Sequence, residues 1–120
     1  MILKHEQLKI DVQKEFRGGK GSVTLEHFMD IQMANGAGRL FALTTIPPGS
    51  SVGLHKHVGD SEVYYILEGK ALVNDNGTEI TIGPGDLNFC PDGNSHAIEN
   101  IGTKDLKYIA IILFTQQQAL

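Results

Sequence analysis

The chain has 120 residues and a net charge of −4, from ten basic and fourteen acidic side chains, so its charge does not indicate a nucleic-acid-binding surface. Its single cysteine excludes an intramolecular disulfide framework and a metal site built from thiolates alone. No charged-then-apolar leader and no apolar run of membrane length is visible. We therefore expect one cytoplasmic domain over residues 1–120, with no nucleic-acid or membrane partner.

The first part of the chain predicts short strands separated by turns. Leu8, Ile10 and Val12 alternate with charged residues, which fits a half-buried strand, although a helical turn also fits. Residues 17–21 are either a flexible turn or a backbone cradle for an anion. Residues 22–32 are typical of a strand, in which His27 is either a pocket base or a surface or satisfied core residue. Residues 39–46 predict another strand, which ends at the following prolines.

Residues 49–69 contain the first candidate ligands. If residues 53–57 form a strand, His55 and His57 project to the same side because side chains alternate along a strand. A turn through residues 59–61 is expected to bring the next strand back beside the first, with Glu62 pointing into the same space. Two imidazoles and one carboxylate on one concave face predict a site for a divalent transition metal.

A second stretch, residues 85–100, predicts a further hairpin. A short apolar strand runs into a Pro/Gly/Asn turn, and His96 starts the returning strand as a possible fourth ligand. Between the two stretches, residues 69–74 and 79–82 predict strands joined by a hairpin turn at residues 75–77. We expect Gly77 and Gly93 to occupy turns and Gly77 to have a positive φ.

The two stretches resemble the two motifs of the cupin family, and every fixed position of both motifs is present. The spacer between them, residues 70–84, resembles the short bacterial form, and the motif core covers residues 49–100. The resemblance implies an all-β fold, a double-stranded β-helix or jelly-roll barrel. It also implies one divalent metal (Mn, Fe, Ni or Zn) held by three histidines and a glutamate. The fixed positions are Gly49, His55, His57, Glu62, Gly69, Gly85, Pro91, Gly93, His96 and Asn100.

Alternation along the strand of Glu62 adds two pocket candidates. Tyr64 and Ile66 share the parity of Glu62 and should face the barrel interior, whereas Tyr65 and Leu67 should face away. Tyr64 either donates to a ligand, serves as a general acid, or simply packs in the wall. Cys90 is either redox-active or a small buried apolar residue.

The last predicted strand, residues 107–114, is apolar on both faces, whereas a sheet that faces water should alternate. One face is expected to enter the core, and a neighbouring strand, the N-terminal segment or a second subunit must cover the other. We therefore expect a homodimer. No segment has a convincing helical period, and short strands with Gly/Pro turns indicate an all-β sandwich or closed barrel.

Three functions fit these features. The first is a small metalloenzyme acting on a small molecule, in the manner of the dioxygenases, decarboxylases and isomerases among the cupins that the chain resembles. The others are a module that binds a small molecule without chemistry and a protein whose metal only holds the fold. The first is favoured because four ligands leave a six-coordinate ion two positions for a substrate. A structural zinc site would usually be closed and tetrahedral.

Overall fold

The structure is a computed structural model that describes residues 1–116, and these form ten antiparallel strands with very little helix. One helical turn, α1 (Ile31–Ala34), and two 3₁₀ turns (His5–Gln7 and Phe16–Gly18) interrupt them. None of the helices in residues 1–116 is long and apolar enough to cross a bilayer. The strands are β1 (Ile10–Lys14), β2 (Ser22–His27), β3 (Gly38–Ile46), β4 (Ser51–Lys56), β5 (Asp60–Glu68), β6 (Ala71–Asp75), β7 (Thr78–Ile82), β8 (Leu87–Cys90), β9 (Ser95–Asn100) and β10 (Leu106–Phe114).

The strands form two sheets, and the expected all-β, double-stranded β-helix fold is confirmed. A six-stranded sheet has the order β1-β2-β3-β10-β5-β8, and a four-stranded sheet has the order β4-β9-β6-β7. Alternation decides which side chains enter the core between them: along β10, Tyr108, Ala110 and Ile112 are buried, and the intervening residues face outward. Tyr65 and Leu67 also face outward, as expected, at 43% and 42% exposure.

Neither motif forms a hairpin, so that part of the sequence prediction is wrong. The strand β4 pairs with β9, whereas β5 pairs with β10 and β8 in the other sheet. The strands β8 and β9 are likewise in different sheets. Two layers must face each other to bury the apolar side of each strand, so the turns at Gly59 and Gly93 carry the chain from one layer to the other. Each motif therefore delivers side chains to one interior from both sheets.

The strand predicted over residues 22–32 ends at His27, and the single turn of α1 follows it. The side chain of Asp30 accepts a hydrogen bond from Met33 N at 2.7 Å and caps this turn. Asn35, in the left-handed region at φ 50°, ends the turn. The prediction failed from residue 28 onward because these capping residues outweigh the strand propensity of their neighbours.

The outer face of the six-stranded sheet is apolar. Cross-strand pairing aligns two rows of side chains over β3, β10, β5 and β8. The members toward the β8 edge are about half exposed, including Leu87 at 56% and Phe89 at 52%. The rows are Leu43, Ile109, Tyr65 and Leu87, and Phe41, Ile111, Val63 and Phe89. The prediction that the last strand is apolar on both faces is therefore confirmed.

Candidate metal centre and cavity

Four side chains from both sheets converge inside the barrel: His55, His57, Glu62 and His96. One ligand atom from each lies within 4.8 Å of all the others, and these residues could hold one metal ion. Oε1 of Glu62 lies 2.9 Å from Nε2 of His96, 3.1 Å from Nε2 of His57 and 3.5 Å from Nε2 of His55. The sequence analysis named these four residues, and the fold brings all of them together.

A bulge in β4 turns His55 into the barrel. In the pairing with β9, Val52 opposes Ile98 but His55 opposes His96, so β4 has one extra residue between these pairs. Strict alternation would put Val52 and His55 on opposite faces, whereas the bulge lets both face inward. The bulge includes Gly53, whose backbone packs closely against Arg17. A Cβ at Gly53 would lie only 2.1 Å from the carbonyl oxygen of Arg17.

Each of the three imidazoles is oriented by an acceptor on its other nitrogen. Nδ1 of His55 lies 2.7 Å from the carbonyl oxygen of Gly53. Nδ1 of His57 and Nδ1 of His96 lie 2.6 Å from Oδ1 of Asp60 and 2.8 Å from Oδ1 of Asn88. An acceptor at Nδ1 selects the tautomer with the proton there, which leaves the Nε2 lone pair directed at the centre of the cluster.

The donor set fits a metal ion. The Nε2 atoms of His57 and His96 lie 3.1 Å apart, and both lie about as far from a carboxylate oxygen. Such a cluster of lone pairs is repulsive without a cation or extra protons among them. Two atoms bound at right angles to one ion at about 2.1 Å lie about 3 Å apart, so the observed spacing is that of adjacent ligands. Imidazole and carboxylate together suit several divalent transition metals and do not select one.

The pKa values of the cluster show how protons compete for the same atoms. Burial acts to raise the pKa of Glu62, but its hydrogen bonds with the three imidazoles outweigh burial and hold the pKa well below its usual range. The hydrogen bond to Glu62 raises the pKa of His57 in spite of burial, with Asp60 adding to the effect. Burial lowers the pKa of His96. A metal ion would replace the Nε2 protons that these rings otherwise share with Glu62.

Three members of the cluster, His55, His57 and Glu62, line a cavity of about 230 Å³. Tyr64 lines the cavity and stacks on His96, with ring centroids 4.5 Å apart. Burial, together with the charge of Glu62, raises the pKa of Tyr64, so its hydroxyl stays protonated. Ile66, the other pocket candidate, is fully buried in the core and is not part of the cavity wall among the described residues.

Sequence reasoning left His27 open as a pocket base or a satisfied residue, and it did not place Arg39 or Arg17 on the cavity wall. Nε2 of His27 lies 2.8 Å from Oδ2 of Asp11, so the ring is satisfied and also faces the cavity. Alternation along the strand supports this position, because His27 shares the parity of the buried Leu25. For the arginines, the sequence carries no signal of this placement.

Arg39 reaches the cavity because of a second bulge. Ile112 pairs with Leu40 and Leu113 with Gly38, so Arg39 is the extra residue on β3. Its Nε donates a hydrogen bond to Oδ2 of Asp60 at 2.8 Å. Because Asp60 also contacts His57, Arg39 is connected to the cluster through one carboxylate.

Cys90 is buried next to the cavity region, and burial raises the pKa of its thiol to about 11. A thiol with such a pKa is protonated at neutral pH, which favours the interpretation as a small apolar residue over a redox-active one.

Comparison with known proteins agrees with this fold. The family model of the cupin domain matches residues 42–112, and the chain belongs to the cupin family. It is 42% identical to an oxalate-binding protein of Thermotoga maritima over 94% of this chain and 93% of that protein. An uncharacterized protein of Methanocaldococcus jannaschii is 34% identical over 90% of this chain and 83% of its own. A crystal structure from Thermotoga maritima, described as a predicted oxalate decarboxylase, superposes with a TM-score of 0.86 at 44% identity, covering 95% of this chain and 99% of that one.

Proposed function

We propose that the chain is a small metalloenzyme that binds a carboxylate of the oxalate class in its barrel cavity and converts it, with decarboxylation as the first reaction to test. The observation that carries the proposal is the meeting of a three-histidine, one-glutamate cluster with both arginines of the chain in one cavity. When bound, a divalent ion supplies a Lewis acid for carboxylate oxygens. The relative named as an oxalate-binding protein makes oxalate the natural first probe.

The residues around the cluster suit a small anion. Nε of Arg39 is engaged by Asp60, which leaves the remaining guanidinium N–H groups available to a carboxylate. Oγ1 of Thr44 is buried in the cavity wall without a hydrogen-bond partner in residues 1–116, so a ligand or a water can satisfy it. The protonated hydroxyl of Tyr64 is a further donor on the same wall.

Decarboxylation also requires a proton. The reaction breaks the carbon–carbon bond of oxalate, releases carbon dioxide and leaves one proton on the remaining carbon, as formate. The hydrogen-bonded pair of His27 and Asp11 lies on the cavity wall outside the cluster and can carry that proton.

The test uses purified protein loaded separately with Mn, Fe, Ni or Zn and incubated with oxalate. Calorimetry measures binding, and product analysis measures formate and carbon dioxide. The expected result is saturable binding that depends on the metal, together with formate production by at least one metal form. Failure of every metal-loaded form to bind oxalate or any other small carboxylate would overturn the proposal and leave a structural metal as the explanation.

Capture of a carboxylate without chemistry is the second candidate. It is favoured because the acidic groups that line the cavity in the described chain are already engaged. Glu62 belongs to the cluster, and Asp11 is hydrogen-bonded to His27. No unengaged carboxyl is therefore ready to act as a proton donor. Stoichiometric oxalate binding by every metal form, with no formate from any of them, would select this second function.

We further propose that the chain forms a homodimer through the outer face of the six-stranded sheet, with a second copy of the chain as the partner. The two apolar rows lie side by side on this face, and their β8 ends are about half exposed. A patch of this kind is unusual on a monomer. A two-fold axis through it would pack each row against the equivalent side chains of the second copy.

A further inference from the structure

The chain contains two arginines, and both line the cavity of the candidate metal centre. Arg39 is connected to His57 through Asp60. Arg17 is placed against β4, where its carbonyl oxygen touches Gly53, and the carbonyl oxygen of Gly53 in turn lies 2.7 Å from Nδ1 of His55. Both arginines line the cavity that His55 and His57 also line, and the backbone of Arg17 packs against the residue that orients His55.

The backbone around Arg17 is held in a conformation that its sequence does not favour. Arg17 and Glu15 have φ of 54° and 49°, in the left-handed region that side chains with a Cβ rarely adopt. The segment is fixed by a close approach of two glycines, because a Cβ on Gly19 would lie 2.2 Å from Ser51 O and one on Gly53 would lie 2.1 Å from Arg17 O. Strained residues that persist in this way tend to occur at functional sites.

The guanidinium of Arg17 is not used by the fold. Its side chain is exposed, and within residues 1–116 it forms neither a salt bridge nor a hydrogen bond, whereas Arg39 is paired with Asp60. Its nearest aromatic contact is the ring of Phe16, with Cζ 5.9 Å from the centroid. Arg17 thus presents an uncompensated positive charge on the wall of the cavity.

The cavity, of about 230 Å³, has room for a ligand larger than oxalate. Oxalate has only two carbons, and a chelate of it at the cluster would place both of its carboxylates at the metal. An acid with a longer chain can chelate at one end and still offer a second anionic group to Arg17.

We propose that Arg17 is a specificity-determining residue that binds the second carboxylate of a 2-hydroxy or 2-oxo dicarboxylate whose first carboxylate and neighbouring oxygen bind at the cluster. The inference rests on the proposed binding of carboxylates at the metal. In this interpretation residues 15–19 are not merely a flexible turn between strands, because they hold the Arg17 cation at the cavity.

The test compares two probes with the same chelating end, 2-hydroxybutanedioate and 2-hydroxybutanoate, on manganese-loaded protein by calorimetry at low salt. The wild type should bind the diacid more tightly. Arg17→Gln should weaken diacid binding about fivefold, as expected for a partly exposed ion pair, and leave the monoacid unchanged. Arg17→Lys should retain part of the preference. Lys20→Gln is the matched control, because Lys20 lies in the same segment but pairs with Glu99 at 3.6 Å.

Equal affinity of the wild type for the two probes, or equal weakening of both by Arg17→Gln, would overturn the role of Arg17. The proposed binding of carboxylates at the metal would still stand. Manganese content measured for every variant shows whether the cluster is intact. If the metal-loaded wild type binds neither probe nor oxalate, the proposed function fails, and the inference fails with it. The two failures are thus separated by the behaviour of the wild type.

Discussion

Nδ1 of His57 lies 2.6 Å from Oδ1 of Asp60, and this buried pair connects the candidate metal centre to the wall of the cavity. Asp60 fixes the tautomer of the ring and increases the basicity of its other nitrogen. Because Asp60 also accepts a hydrogen bond from Arg39, it holds a cation beside the cluster.

Asp60→Asn should weaken metal binding about tenfold, since loss of such an outer partner typically costs ten- to a hundredfold in affinity. The amide oxygen can still accept from His57, so the change mainly removes the negative charge. Metal dissociation constants from competition with a chelating dye measure the effect. Asp92→Asn is the control, because Asp92 is an exposed residue that bonds to Gly59 N and Thr115 Oγ1. Equal constants for the two variants would contradict the assigned role of Asp60.

Removal of a ligand should lower metal content sharply. We expect less than half of the wild-type metal per subunit in His57→Ala, which removes one donor of the cluster, and in Glu62→Gln, which removes the negative charge beside the cation. His27→Ala should keep full metal content, since His27 lies outside the cluster and bonds to Asp11. Elemental analysis measures metal per subunit, with circular dichroism to show that the barrel is folded. If both variants are folded and both keep full metal content, the ligands are assigned wrongly.

Metal should stabilise the protein less as the pH falls. At a hundredfold excess over its dissociation constant, an ion that binds only the folded state adds ~2.7 kcal/mol to the free energy of unfolding. Hydrogen bonding to Glu62 raises the pKa of His57, so in the metal-free protein protons begin to compete for Nε2 above the ordinary value of about 6.5.

The sign follows from which state binds the proton. Protonation of His57 stabilises the metal-free folded protein at low pH, and this contribution is lost as the pH rises through the raised pKa. Metal binding needs the neutral ring, so its contribution is present at high pH. The difference in melting temperature with and without metal should therefore be largest near pH ~8 and shrink through pH ~6.5 and below. A difference that stays constant down to pH ~5.5 would refute this competition.

Gly77→Ala should destabilise the fold by about 1 kcal/mol through backbone strain alone. Gly77 has φ of 100° in the turn that follows Asn76, and beyond its two chain neighbours no atom of residues 1–116 lies within 4 Å of the place that a Cβ would take, so no clash contributes. Gly83→Ala is the matched control, because its φ lies outside the left-handed region and its Cβ would only touch Gly69 O at 3.8 Å. Urea denaturation measures both. Equal stability of the two variants would rule out the strain argument.

If the homodimer forms as proposed, substitutions of two exposed side chains on different sheets should affect the oligomeric state differently. Phe89 lies in an apolar row at 52% exposure, and Ile80 lies on β7 of the other sheet at 47%. Phe89→Arg should convert the dimer into a monomer, because the arginine would have to be buried against a second copy. Ile80→Arg should leave it dimeric. Light scattering at about 10 µM measures the mass, and a monomeric wild type would refute the dimer.

The sequence by itself determined the fold class and the members of the cluster. The resemblance of two stretches to the cupin motifs implied the barrel and the four ligands, and alternation placed Tyr64 inside and Tyr65 outside. Such features can be recognised locally, because the alternation of a strand and the need of a turn for glycine depend only on residues that are close together in the sequence. The positive φ of Gly77 was likewise predictable from its place after Asp75 and Asn76.

Only the tertiary structure decided which strands pair and which distant side chains meet the cluster. The sequence analysis made hairpins of both motifs, whereas burial of two apolar faces requires each motif to cross between the sheets. The bulges at Gly53 and Arg39 follow from pairing with β9 and β10, partners far away in the chain, so no local pattern could reveal them. Arg39 enters the cavity through its bulge and Arg17 through the packing of its turn against Gly53, so the charge of the site is a property of the assembled barrel.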